Sequence, residues 1–147
     1  MNALLETHGG WAAFLLRITL GVVIFAHGAQ LALGWFGGHG FKNTVQQFKQ
    51  MGMPALVGAL VILAQFLGSL GLIVGLLTRF AAFGILLVML GAIFLVHTKV
   101  GFFMNWYGQQ QGEGFEYHLL VAAIAIALMI MGAGNLSLDA AIVASSP

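Results

Sequence analysis

A chain of 147 residues that is 61% hydrophobic and 6% charged, with mean hydropathy +1.01 and net charge +1, cannot cover a water-facing surface. Soluble domains carry about a quarter charged residues, so the solvent is a lipid bilayer. The lack of a basic stripe argues against a nucleic-acid partner, and the lack of cysteine removes disulfides, thiolate metal sites and dithiol redox chemistry from this chain.

The N-terminus, MNALLETHGG, has no basic n-region, and the apolar run that follows is too long for a signal-peptide core. That run, at about 11–33, reads as a retained first span. The connection after it contains FKNTVQQFKQMGMP. There Phe41, Val45, Phe48 and Met51 fall near helical spacing, with Lys42, Gln46 and Lys49 on the other side. The pattern predicts a short helix at about 41–51 lying on the membrane surface. Gly52 stops it, and Pro54 suits the first helical position of a second span at about 54–77.

Small residues recur in that second span. Ala64 and Gly68 are four apart, as are Gly71 and Gly75, which allows close helix approach. Packing within one bundle is the simpler reading; a seam between two copies, and hence a homo-oligomer, is the other. The stretch LLTRF, around Thr78 and Arg79, makes a tight turn into a third span at about 80–97. The loop TKVGFFMNWYGQQQGEG mixes Trp106 and Tyr107 with amides and glycines, as an interfacial anchor does. A fourth span follows at about 115–131. In GAGNLSLDAAIV, Ser137 is placed to cap a short terminal helix with Asp139 in its first turn.

The expected fold is therefore all-α: an integral membrane, antiparallel four-helix bundle in one domain spanning 1–147. A β-barrel would need short alternating segments, which are absent. Four spans place both termini and the Thr78–Arg79 turn on one side, and Lys42, Lys49 and Lys99 on the other. Arg17 and Arg79 nearly balance those lysines, and the tight charged turn points to cytoplasmic termini.

Polar residues collect in the lysine-bearing half. His27 lies ~24 Å along the first span from Trp11, and Gln30 shares its face. His97 ends the third span on that side, and Glu116, Tyr117 and His118 begin the fourth there. The expectation is one interior cavity facing the long loops, lined by His27, Gln30, His97 and Tyr117, with Gln65 as its floor. The turn side offers little polar chemistry. Helix-end residues can also simply reach headgroups, and Glu116 can simply complement the helix N-terminus. His27 is deeper, and ionisable residues inside a membrane usually face an interior and mark function. Arg17 can snorkel or bind. Three histidines and a carboxylate also form a weak candidate metal cluster. A haem is weaker still, for want of two histidines at matched depth.

Several stretches in order resemble the DoxX family of small four-helix membrane proteins: LLRITLGVVIFAHGAQ with GWFGG, GMP, VGLLTRFAA, GFF, GFEYHLL and GAGNLSLDA. The resemblance covers nearly the whole chain. It implies a bacterial cytoplasmic (inner) membrane protein, and a quinone-linked role, since the family includes a subunit of a thiosulfate:quinone oxidoreductase. The positions that match are Arg17, His27, Gln30, Glu116 and Tyr117. Leu31 and Gln65 depart from it, standing where the family often has lysine and glutamate. If those pair in relatives, losing both leaves no stranded charge.

A quinone pocket needs an apolar slot, carbonyl donors and a proton route. Trp35, Phe36, Phe102 and Phe103 could line the slot. His27 and Gln30 could meet one carbonyl and Tyr117 the other. His97, His118 or Glu116 could pass protons to the surface. The catalytic candidates are then His27, Tyr117 and Glu116. The binding candidates are Arg17, Gln30, Trp35, Gln65, His97 and His118. Electrons would come from a soluble redox partner, a bound cofactor or a diffusible reductant. The competing reading is a non-catalytic anchor or accessory subunit for a soluble redox protein.

Overall fold

The structure, a computed structural model, describes residues 5–8 and 10–145. Those residues are all-helical: α1 Gly10–Leu33, α2 Gly40–Gln50, α3 Ala55–Val74, α4 Thr78–Leu95, α5 Glu116–Met131 and α6 Leu138–Ser145. Single 3₁₀ turns cover Trp35–Gly37 and His97–Lys99.

Local chemistry sets these boundaries. Gly34, at φ 76°, ends α1. Pro54 sits just before α3, one position earlier than the first helical residue, with extended backbone at ψ 140°. Gly75 ends α3 in the left-handed region at φ 71°. A Cβ there would also lie 2.5 Å from the Ser137 Cβ, so only glycine fits. α4 begins at Thr78, two residues ahead of the sequence expectation, because Asp139 accepts from the backbone N–H groups of Leu77 (2.7 Å) and Thr78 (2.9 Å). Ser137 Oγ accepts from the Ala140 N–H at 3.2 Å, the capping bond read from the sequence.

α1 packs on α3, α3 on α4, α4 on α5, and α5 returns to α1. At Gly28 a Cβ would lie 2.8 Å from the Phe66 backbone, so glycine is what lets α1 and α3 touch. Gly68 packs on Ile85 of α4, and Gly84 of α4 on Ala64, so these small residues serve packing inside the chain. The core they enclose runs through Leu20, Ile24, Leu72, Ala82, Ile85, Ala125 and Leu128. α2 rests on this assembly. Thr44 is buried and donates to the Leu31 carbonyl, and Phe48 covers Gly58, while Lys42 and Lys49 are exposed.

The outer faces are apolar: Leu56 on α3 is 72% exposed, and Phe80 and Phe94 on α4 are 75% and 70%. Such faces suit lipid and not water. Helices α1 and α3, and α4 with its trailing turn, are long and apolar enough to cross a membrane. The chain is an integral membrane protein. α5 has 16 residues, about 24 Å of helix.

Candidate functional site

The two ends of the molecule are built differently. At one end the start of α1, the end of α5 and the α3–α4 turn are stitched together. The His8 N–H donates to the Met131 carbonyl, Asn135 to Gly10 and Asp139 to Gly75. Arg17 lies within this end, fully buried. Its Nε donates to the Ala133 carbonyl at 2.9 Å. Nη1 donates to Leu72 (2.6 Å) and Ile73 (2.8 Å), and Nη2 to Leu136 (3.0 Å) and Asn135 (3.3 Å). A cation among the last carbonyls of α3 also complements that helix terminus. The expectation of little polar chemistry on the turn side is therefore wrong. Arg17 and Asp139 form a buried polar knot, and Arg17 is not brought to the other candidates.

The opposite end carries the long loops. Here four rings follow one another. His27 lies 6.2 Å from Tyr117 between centroids, Tyr117 lies 5.5 Å from His118, and His118 lies 4.0 Å from His97. His97 Nδ1 is 2.7 Å from the Glu113 carbonyl. A run of ring contacts thus leads from His27 of α1 through Tyr117 and His118 of α5 to His97 in the 97–99 turn. The Tyr117 hydroxyl is buried, with no hydrogen-bond partner among the described residues.

Beside Tyr117 lies a groove of ≈ 360 Å³, lined by Phe102, Met104, Trp106, Glu116, Tyr117, Leu119 and Leu120. Its loop wall is fixed from below by the Phe115 N–H on Gly101 and the Glu116 N–H on Phe102. At the loop tip, Asn105 and Gln110 exchange bonds, Asn105 Nδ2 to the Gln110 carbonyl and the Gln110 N–H to Asn105 Oδ1. Glu113 accepts from the Asn105 N–H at 2.8 Å.

The single interior cavity expected from the sequence is not what these residues form. His27 touches Tyr117 but is itself exposed and does not line the groove. Gln30 is half-buried, and its amide donates to the Phe36 carbonyl at 3.2 Å, holding the turn that follows α1. Trp35 packs edge-on against Phe25, which stacks on Phe66, so it stands over the α1–α3 seam away from the groove. Phe36 goes with Trp35. Phe102 does line the groove, whereas Phe103 does not. Gln65 is 8% exposed on the inner stripe of α3 and is no floor to the groove. Glu116 lines the groove, but its Oε1 already accepts from the Met104 N–H and the Trp106 indole N–H, both at 2.9 Å.

Met104, Leu119 and Leu120 are groove residues that sequence reasoning missed. They are ordinary apolar residues, and only the folded loop gives them a site. Among the described residues, no three or more His, Asp or Glu side chains converge as a metal-binding group. His97 and His118 lie ring against ring at a 36° tilt.

Comparison with known proteins places the chain. The DoxX family profile matches residues 12–98. The chain is similar to the "Putative oxidoreductase CatD" of Bacillus subtilis (strain 168), 31% identical over 125 residues, covering 85% of this chain and 82% of that protein. It is also similar to the "Inner membrane protein YqjF" of Escherichia coli (strain K12), 30% identical over 109 residues, covering 74% of this chain and 79% of that one. No solved structure matches it. With a family profile over more than half of its length and a relative matched over most of both chains, the protein belongs to the DoxX family.

Proposed function

We propose that this protein is the membrane component of a quinone-linked oxidoreductase, and that the ring of the quinone sits in the groove beside Tyr117. The observation that carries the reading is the buried Tyr117 hydroxyl, unpartnered among the described residues, on a side chain that lines that groove. An unpaired buried hydroxyl costs about 1–3 kcal/mol, so a ligand that accepts its hydrogen bond recovers that cost. The groove is of ligand size, within the ~300–1,000 Å³ of small-molecule sites. Its walls are apolar, as a ring and isoprenoid tail require, and Leu119 and Leu120 are 51% and 66% exposed on its outer side. A tail could leave through that side into lipid.

In this reading Tyr117 donates to a quinone carbonyl, and Phe102, Met104 and Trp106 hold the ring. His118 and His97 stand ring against ring between Tyr117 and the loop at Glu113, and in this reading they link the tyrosine to the loop surface. His27 supports the Tyr117 ring from α1. A bound quinone supplies two-electron, two-proton acceptor chemistry. Electrons reach it from a soluble redox partner or a diffusible reductant, because this chain has no cysteine. The "oxidoreductase" in the name of the Bacillus relative is consistent with such a role.

The same proposal takes α5 as a fourth span, giving an antiparallel four-helix bundle in one membrane domain, with α2 at the headgroup level. It also takes the bacterial inner membrane as the location, as for the Escherichia relative, with both termini cytoplasmic. Reporter fusions at the two termini should give the same cytoplasmic signal; opposite signals would remove the fourth span. Titrating a short-chain ubiquinone into the purified protein in nanodiscs tests the function itself. Saturable one-to-one binding supports it, and no saturable binding sinks it in favour of the anchor reading.

A further inference from the structure

We propose that Glu116 is the positioning residue of the groove, holding its loop wall in place. The inference rests on the reading of the groove as a ligand site. It follows from what one oxygen does. Glu116 Oε1 accepts from the Met104 N–H and from the Trp106 Nε1–H, each at 2.9 Å. Those donors lie 12 and 10 residues back along the chain, on the wall that faces Tyr117, Leu119 and Leu120.

The other wall residue from the loop, Phe102, needs no such tie, because its carbonyl accepts from the Glu116 backbone N–H at 2.9 Å. Trp106 is different. It is 77% exposed, so packing does little to orient its ring. The bond to Glu116 is what turns its indole edge inward and fixes the width of the groove. The carboxylate is well placed for this work. It sits at the first residue of α5, where the helix terminus favours a negative charge. A carboxylate oxygen with two N–H donors is an acceptor with its capacity engaged, and charge-assisted bonds of this kind are the stronger ones.

The test uses the full-length protein with Trp11→Phe and Trp35→Phe, which leaves Trp106 as its one tryptophan. Trp106 emission and its quenching by iodide report the wall without any ligand. Quenching by a short-chain ubiquinone reports the groove. Glu116→Ala should shift the emission to the red, raise iodide access and raise the quinone Kd roughly tenfold. Glu116→Gln keeps an acceptor oxygen and loses the acid. It should restore the emission and bring the Kd back to within about twofold of the parent. Unchanged Trp106 emission in Glu116→Ala overturns the inference. So does a Glu116→Gln protein that keeps the emission but binds as weakly as the alanine variant, since charge or proton exchange would then be the role. If the emission responds as expected while the parent shows no saturable quinone quenching, the positioning role stands and the quinone reading falls.

Discussion

The turn end and the loop end of this molecule both bury polar groups, and they treat them in opposite ways. At the turn end Arg17 spreads five hydrogen bonds over carbonyls of α3 and the segment after α5, and Asp139 caps α4 with both oxygens. At the loop end the Tyr117 hydroxyl has no partner among the described residues, and its side chain lines a groove. Thr78 Oγ1 at the turn end is also buried and unpartnered among the described residues, but Thr78 does not line the groove. The difference separates polar groups that hold a fold from polar groups that wait for something. Charge and depth alone do not make that distinction, since Arg17 is the more deeply buried of the two and has nothing left to offer a ligand.

If that division is right, substitutions at the two ends should fail in different assays. The largest effect belongs to Arg17→Ala, which strands the carbonyls it serves and leaves Asp139 without its counter-charge. We expect a loss of roughly 3–5 kcal/mol, read as a large fall in thermal midpoint in detergent. A midpoint within a few degrees of the parent would mean that the knot is dispensable. Asp139→Ala comes next. It frees the Leu77 and Thr78 N–H groups at the start of α4, with an expected cost of about 1–3 kcal/mol. Quinone affinity of the protein that remains folded should be unchanged. The smallest effect sharpens the contrast. His27→Ala removes the ring beside Tyr117 and should weaken quinone binding about threefold. Arg79→Ala, whose Nη2 donates to the Glu6 and Ile130 carbonyls at the turn end, should leave binding unaltered. Equal affinities for the two variants would detach His27 from the site.

What the sequence could and could not disclose follows the same line. Apolar runs and helical spacing speak to neighbours three and four residues away, so the helices, the amphipathic α2 and the Ser137 cap were legible. The knot was not. Asp139 caps residues 61 and 62 positions back, and Arg17 reaches carbonyls 55 to 119 positions on. Helical spacing places Asp139 in the first turn of its own helix and leaves Arg17 free to snorkel or to bind, and it carries no sign of these distant partners. At the loop end, helical spacing brought His27, His97, Tyr117 and His118 to one side, as found. It could not tell that His27 is exposed, that Gln30 and Glu116 are engaged by loop atoms, or that Trp35 sits across the α1–α3 seam. Those facts depend on how two irregular connections fold back, which hydropathy does not encode.

The most direct test of the division is Tyr117→Phe, measured for stability and for quinone binding in the same preparation. The substitution removes one oxygen that no other group among the described residues uses. The account predicts a thermal midpoint equal to or above that of the parent, because an unsatisfied buried hydroxyl is gone, together with a quinone Kd raised about tenfold. A destabilised variant that binds quinone as the parent does would contradict it, and would place Tyr117 with Arg17 among the groups that hold the fold.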